Sequence, residues 1–132
     1  MFPYDINKHP PHPSVRLRIT DLRHHLQLPV FEALIDSGSD CSAIPRRILS
    51  QVGPLDYEQA RVRYANGRVE TGDFVRLLSA SIELLAPDGT VQSTRGYNDL
   101  RFVVLDEALL GRDILNYHRC ELDGPALLCA LT

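Results

Sequence analysis

The chain has 132 residues, which is enough for one domain with a sizeable hydrophobic core. Hydrophobic residues make up 44% of it and charged residues 23%, with a net charge of −3. This balance is typical of a globular protein and lacks the basic surface that nucleic-acid binding requires. No apolar run approaches the roughly 20 residues of a transmembrane helix, so we expect neither nucleic acid nor a membrane as a partner.

Cysteine usage indicates a reducing compartment. The three cysteines, Cys41, Cys120 and Cys129, are an odd number, which argues against a framework built purely of disulfides. The first residues contain no apolar stretch of the kind found in secretory signals. We therefore expect a cytoplasmic protein.

The pattern of prolines divides the chain into an arm and a domain. Residues 1–14 contain four prolines and two histidines, and proline disfavours helix and removes backbone donors. The sequence thus predicts an extended N-terminal arm over 1–14 and a domain over 15–132.

The domain begins with a predicted hairpin that leads to Asp36. Val15, Leu17 and Ile19 alternate with polar residues, the period of a half-buried strand. Residues 26–35 form a second predicted strand, whose last residues are apolar on both faces and therefore buried.

A second hairpin is predicted at Asn66-Gly67. Alternating residues precede and follow this pair, and a two-residue type I′ turn favours Asn-Gly because both central residues need a positive φ. Before it, Pro45 is placed to begin a brief helical turn.

The rest of the chain consists of short predicted strands and one short helix. Because helix is scarce and turn residues separate the strands, the sequence predicts an all-β barrel or sandwich. In chain order, we expect an extended segment over 74–85, a turn at 87–89, a strand over 100–105, a short helix over about 111–118 and a closing hairpin from 120–122 and 127–131.

The first candidate for chemistry is Asp36-Ser37-Gly38, at the end of the buried strand. A carboxylate in this position is costly unless it is hydrogen-bonded, paired or functional. Gly38 permits a tight reversal and a close approach of another chain, and Ser37 supplies a short hydroxyl. The alternative is an ordinary turn in which Asp36 only caps its own loop.

A second candidate is the segment ALLGRDILN, residues 108–116. Two leucines precede Gly111, and Arg112 and Asp113 follow it. Taken alone, the segment favours an ordinary structure, a strand that ends at a glycine followed by a helix in which Arg112 and Asp113 are solvated.

The chain resembles the retropepsin-like aspartic proteases, which include the retroviral proteases and their cellular relatives. The resemblance lies in the order and spacing of three segments, EALIDSGSD, YANGRVETG and LLGRDILN. The resemblance runs from about Val15 to Leu122. It implies an all-β acid-protease barrel with a flap hairpin and one short C-terminal helix. Serine stands at Ser37 where threonine is more usual, and Ser39 stands where retroviral members often have alanine.

The resemblance also implies roles for individual residues. Asp36 matches the catalytic aspartate, with Ser37 and Gly38 as the active-site loop. Asp40 and Arg112 match an ion pair behind the active site, and Gly111 lies where one active-site loop passes the other segment.

Further residues are implied at the substrate cleft. Tyr64, Ala65, Asn66 and Gly67 would form the flap that closes over substrate. Ile44 and Leu109 are candidates for lining side-chain pockets, although either is equally compatible with a simple core position.

Aspartic-protease chemistry requires two carboxylates that share one proton. The chain contains no second D-[ST]-G, because Asp88-Gly89-Thr90 has the wrong order and Asp123-Gly124-Pro125 lacks the hydroxyl. The second aspartate must then be Asp36 of another copy, so we expect a twofold homodimer with an extended peptide or protein as substrate. No cofactor or metal is expected.

Other candidate sites are weaker. His24-His25 and the two histidines of the arm lack an ordered cysteine partner, which favours solvated imidazoles over a metal site. Cys41 has no histidine in a defined relation, which favours a small buried residue over a thiol nucleophile. The strip of Arg16, Arg18 and Arg23 lacks interleaved aromatic residues, so we interpret it as a solvated strand face.

Two functions from different classes remain open. The first is a homodimeric aspartic endopeptidase. The alternative is a retropepsin-like module that binds peptides or dimerises with little or no proteolysis, since fold does not guarantee function. The intact Asp36-Ser37-Gly38 and the match at Asp40 and Arg112 favour the enzyme.

Overall fold

A computed structural model describes all 132 residues of the chain. Strands predominate, and each of the two helices has four residues and is neither long nor apolar enough to cross a membrane. The elements are β1 (Phe2–Pro3), β2 (Ser14–Asp21), β3 (Leu26–Gln27), β4 (Phe31–Ile35), β5 (Ala43–Pro45), α1 (Arg46–Leu49), β6 (Asp56–Arg63), β7 (Val69–Leu85), β8 (Val91–Leu105), β9 (Leu109–Leu110), α2 (Arg112–Leu115), β10 (Cys120–Asp123) and β11 (Leu128–Leu131).

The main sheet closes on itself. Eight strands follow the order β3-β2-β4-β9-β5-β8-β7-β6, and β2 also pairs with β7, which closes the strands between them into a barrel. All pairings in it are antiparallel except β4 with β9 and β5 with β8. A separate three-stranded sheet has the order β1-β11-β10. The prediction of an all-β fold is confirmed.

The barrel encloses one hydrophobic core. Val15, Leu17 and Ile19, the alternating residues of β2, are buried as predicted. The same cluster of 27 buried residues includes Phe2 and Leu131, so both ends of the chain contribute to it.

The N-terminal segment packs against the barrel. β1 pairs with β11, and a single antiparallel bridge joins Asp5 to His12. His12 Nε2 lies 3.0 Å from the carbonyl oxygen of Ile35, and the Ile35 N–H donates to the Pro13 carbonyl at 2.9 Å. The segment therefore contacts the strand that carries Asp36.

The hairpin of β6 and β7 forms as predicted, but its turn differs. The Tyr64 N–H donates to the Arg68 carbonyl and the Gly67 N–H to the Tyr64 carbonyl, both at 2.9 Å, which defines a three-residue loop over 65–67. Only Gly67 has a positive φ, of 84°, whereas a type I′ turn needs one at Asn66 too. Asn66 Oδ1 instead accepts the Arg68 N–H, an arrangement that holds Asn66 in the loop.

The C-terminal helix is shorter than the predicted span of 111–118. Gly111 is its N-cap, and α2 ends at Leu115. The Asn116 N–H still bonds four residues back, to Arg112, whereas the amides of Tyr117 and His118 bond to carbonyls three residues back, so the chain tightens into a turn there. The closing hairpin follows as β10 and β11, with Cys120 opposite Leu131.

Candidate active site

Asp36 is held where β4 leaves the barrel. Leu34 and Ile35 pair in parallel with Leu109 and Leu110 of β9, and the Asp36 N–H continues this ladder by donating to the Leu110 carbonyl at 2.9 Å. Because β4 is buried between β2 and β9 while Asp36 is partly exposed, the strand fixes the backbone and presents the carboxylate at the surface of the barrel.

The loop after Asp36 uses one of its two carboxylate oxygens. The Gly38 N–H donates to Asp36 Oδ1 at 3.0 Å, and the Ser39 N–H donates to the Asp36 carbonyl at 3.2 Å. This is the turn that the alternative interpretation of the sequence requires. It leaves Oδ2 without a hydrogen bond from the chain. The turn therefore orients the carboxylate and leaves one oxygen free to bind another group.

The second candidate segment braces this loop from behind. The Arg112 N–H donates to the Ser39 carbonyl at 2.9 Å, so α2 begins directly against the loop. A Cβ added to Gly111 would lie only 2.8 Å from the Ser39 carbonyl oxygen and 2.9 Å from the Cys41 carbonyl carbon. Glycine is required at 111 because backbone passes backbone there.

Ser42 and Asp113 form a second part of this brace, and the sequence did not assign a role to either residue. Ser42 is fully buried, and its hydroxyl donates to Asp113 Oδ1 at 2.6 Å while it accepts the Gly111 N–H at 2.9 Å. The Ser42 N–H donates to Asp113 Oδ2 at 3.0 Å. The available signal was a serine just before the apolar run Ala43-Ile44, but the two residues are 71 positions apart in sequence.

Asp40 and Arg112 form an ion pair, as their match to the family implied. Its location is exposed, because the Asp40 side chain is 84% and the Arg112 side chain 51% accessible in the single chain. An exposed pair contributes about 0–1 kcal/mol to the free energy of unfolding. Within one chain, the bonds between half-buried Asp113 and fully buried Ser42 are therefore the stronger support of the loop.

We expect Asp113→Ala to lower the free energy of unfolding by about 2–3 kcal/mol, because it leaves the N–H and hydroxyl of buried Ser42 without their acceptor. Arg112→Ala, the matched change at the neighbouring position, should cost less than about 1 kcal/mol. Urea unfolding of both variants at one protein concentration measures the difference. Equal losses would show that Asp113 is not the main support of the loop.

A cleft of about 590 Å³ lies between the Asp36 loop and the β6–β7 hairpin. Asp36 and Gly38 lie on one side, and Tyr64 and Ala65 of the hairpin lie on the other. Leu109 lines the cleft, whereas Asn66 and Gly67 are exposed at the tip of the hairpin and do not line it. Eight further residues line the cleft that the sequence did not assign to it: Ser39, Asp40, Cys41, Ala43, Val62, Arg63, Val103 and Leu105.

Ile44, the other predicted pocket residue, is a core residue. It is fully buried in the main hydrophobic cluster and does not line the cleft. Side chains alternate between the two faces of a strand, so in β5 it is the neighbouring Ala43 that lines the cleft.

Cys41 lies in the cleft but is unsuited to act as a nucleophile. Burial and the nearby Asp113 carboxylate raise the pKa of its thiol, which favours the protonated form. Its Sγ also lies 3.3 Å from the Arg101 carbonyl oxygen. The structure holds no cluster of three or more histidine, cysteine, aspartate or glutamate side chains placed to bind a metal ion.

No protein-family model and no curated protein matches the chain. Among solved structures, the chain is similar to EIAV protease complexed with the inhibitor HBY-793, with 19% sequence identity and a TM-score of 0.46. The similarity covers 86% of this chain and 91% of that chain. The chemistry of the site is therefore inferred from its own residues and geometry.

Proposed function

We propose that the protein is a homodimeric aspartic endopeptidase that cleaves extended polypeptides. The observation that carries the proposal is the placement of Asp36. Its carboxylate is oriented by Gly38, keeps one oxygen unbonded, and lies in a cleft that the β6–β7 hairpin borders on the other side. This arrangement suits the activation of a water molecule beside a bound peptide.

The reaction requires a partner for Asp36 that one chain does not supply. The only other carboxylate lining the cleft is Asp40, which is engaged by Arg112. A second copy, related by a twofold axis at the cleft, would bring its own Asp36 to the first. The dyad then holds one shared proton, because two carboxylates about 3 Å apart do not both ionise.

Each carboxyl group has a separate task in this dyad. The ionised Asp36 accepts a proton from the attacking water, while the protonated Asp36 of the second copy donates a proton to the carbonyl oxygen of the scissile bond. The carboxyl group that accepted the proton from water then donates it to the amide nitrogen. The carbon–nitrogen bond breaks, and two peptides are released. The apparent pKa values belong to the pair and not to one subunit.

The cleft suits an extended peptide with apolar side chains. Leu109, Val103 and Leu105 provide apolar contact on its floor, and Val62 and Tyr64 contribute from the hairpin. The backbone of an extended substrate can pair with the hairpin on one side and the loop on the other, as in other strand-addition complexes.

Incubation with a diverse peptide library across acidic and neutral pH tests the proposed activity. We expect cleavage at internal bonds with an acidic optimum, and loss of cleavage with a statine-type inhibitor whose hydroxyl mimics the tetrahedral intermediate. If the folded dimer binds library peptides but cleaves none, the protein is the alternative peptide-binding module.

A further inference from the structure

A second groove lies between β8 and the segment that begins with α2. Its volume is about 450 Å³. One wall is the stretch of β8 from Arg95 to Leu100, and the other is formed by Asp113 and Tyr117. None of these residues lines the cleft that contains Asp36, so the groove is a separate surface of the molecule.

The backbone of β8 has a free edge along this groove. β5 pairs with β8 only from Val103 onward, so no strand of the chain lies beside residues 95–100 on the side away from β7. The Leu22 N–H, just after β2, donates to the Ser79 carbonyl, which directs the backbone groups of Ser79 toward β2. Directions alternate along a strand, so Ala80 bonds on the opposite side, toward β8.

The pairing of β7 with β8 then shows which groups of β8 are free. Ala80 lies opposite Tyr97, so the N–H and C=O of Tyr97 bond toward β7. The residues on either side, Gly96 and Asn98, direct theirs away from β7, and both residues are exposed. A further strand can therefore pair with two N–H and two C=O groups at this edge.

The groove contains one charged side chain without a charged partner. Asp99 accepts two hydrogen bonds from Arg76, at 2.7 and 3.0 Å. Both carboxylate oxygens of Asp113 accept hydrogen bonds from Ser42. Arg95, in contrast, contacts two tyrosine rings and a backbone carbonyl but no carboxylate. The groove therefore suits an anionic group.

The two tyrosines hold this arginine in place. The guanidinium carbon of Arg95 lies 4.9 Å from the ring centre of Tyr117 and 6.0 Å from that of Tyr97, and the two rings meet edge to face. A stacked guanidinium keeps in-plane N–H donors that match the two oxygens of a carboxylate. Tyr117 is 56% exposed, so its ring also offers apolar contact to an occupant.

We propose that this groove binds an extended peptide segment of a partner protein, which adds as a strand to the free edge of β8 and places a glutamate or aspartate side chain on Arg95. The backbone groups of Gly96 and Asn98 select an extended backbone, and Arg95 selects the acidic side chain. The inference goes beyond the proposed function and does not depend on it, because the groove lies outside the cleft of Asp36.

Reversal of the charge at Arg95 tests the acidic preference. The probes are three acetylated, amidated heptapeptides in which threonine and valine alternate around a central glutamate, glutamine or lysine, and the protein carries Asp36→Asn so that cleavage does not interfere. We expect the glutamate peptide to bind at least about fivefold more tightly than the glutamine peptide and at least about tenfold more tightly than the lysine peptide. Arg95→Glu should reverse this order.

Arg46→Glu is the matched control for this charge reversal. Arg46 is also exposed, but it lies on α1, outside the groove, so its reversal should leave the order of the three peptides unchanged. Dissociation constants come from amide shifts of the isotope-labelled protein. An order that Arg95→Glu does not alter, or the absence of binding by any peptide, overturns the inference.

A pair of variants at Gly96 tests the addition of a strand. Gly96→Pro removes the N–H that points away from β7 and leaves the ladder to β7 intact, so we expect it to weaken the glutamate peptide about three- to tenfold. Gly96→Ala keeps this N–H, and no atom lies closer than 3.9 Å to the Cβ that it adds, so it should bind as the wild type does. Equal binding by the two folded variants would overturn strand pairing.

The location of the shifts identifies the occupied surface. In the proposed complex, the largest amide shifts occur at Gly96 and Asn98. Shifts confined to the cleft, at Gly38 and Ala65, would show that the peptides bind only there and would overturn the inference. A change of sedimenting mass in Arg95→Glu would show that a second copy covers the groove, which also overturns it. Because no readout is cleavage, failure of the proposed protease activity is recorded separately.

Discussion

Asp36→Asn should abolish peptide cleavage, lowering kcat/KM by at least about 10³-fold at every pH. The substitution removes the groups that accept and donate protons from both members of the dyad at once, and general acid–base catalysis alone contributes about 10²–10⁴-fold. Asparagine retains an oxygen that can accept the Gly38 N–H, so the loop should keep its shape. Steady-state cleavage of a fluorogenic peptide derived from the library measures the loss.

Asp40→Asn is the matched control for that experiment. Asp40 lines the same cleft, but its side chain is exposed and paired with Arg112, so its loss should lower kcat/KM far less. Thermal unfolding and sedimentation should show both variants folded and dimeric. If Asp36→Asn cleaved the peptide as fast as the wild type, Asp36 would not be a catalytic residue.

Gly111→Ala should lower the free energy of unfolding by about 2–3 kcal/mol. The new Cβ would approach the Ser39 carbonyl oxygen to 2.8 Å and the Cys41 carbonyl oxygen to 3.0 Å, and these are backbone atoms that no side-chain rotation can move away. Overpacking of this kind costs about 1–3 kcal/mol, and we expect the upper part of that range. Displacement of Ser39 should also disturb the Asp36 loop and lower activity.

Gly124→Ala is the control, because nothing lies within 4 Å of the Cβ it would add. Urea unfolding at equal protein concentration should show a clear loss for Gly111→Ala and a change of less than about 0.5 kcal/mol for Gly124→Ala. Two equally stable variants would contradict the close backbone approach at Gly111.

Local patterns were sufficient to predict the elements that flank the site. The alternating residues of β2, the apolar end of β4 before Asp36, and the hairpin around Asn66-Gly67 are all present. Each depends on side-chain periodicity or on turn residues, which are properties of neighbouring residues. The predicted type I′ turn was wrong, because the Asn66 side chain bonds to the backbone of Arg68 and Asn66 does not adopt a positive φ.

The sequence did not reveal features that depend on distant contacts. Ser42 and Asp113 meet only because β5 and β9 pair at Ala43 and Leu109, a pairing that no local pattern encodes. Ile44 and Leu109 are both apolar and were equally plausible pocket residues, and only the burial of Ile44 separates them.

The measurement that tests the central claim most directly is a titration of wild-type protein with Asp36→Asn. If the active site is shared between two copies, mixed dimers hold one carboxylate and are inactive, so a tenfold excess should lower the wild-type activity about tenfold. The same excess of Asp40→Asn should not inhibit, because its mixed dimers keep both Asp36 carboxylates. Wild-type activity that stays constant throughout the titration would contradict a catalytic dyad built from two chains.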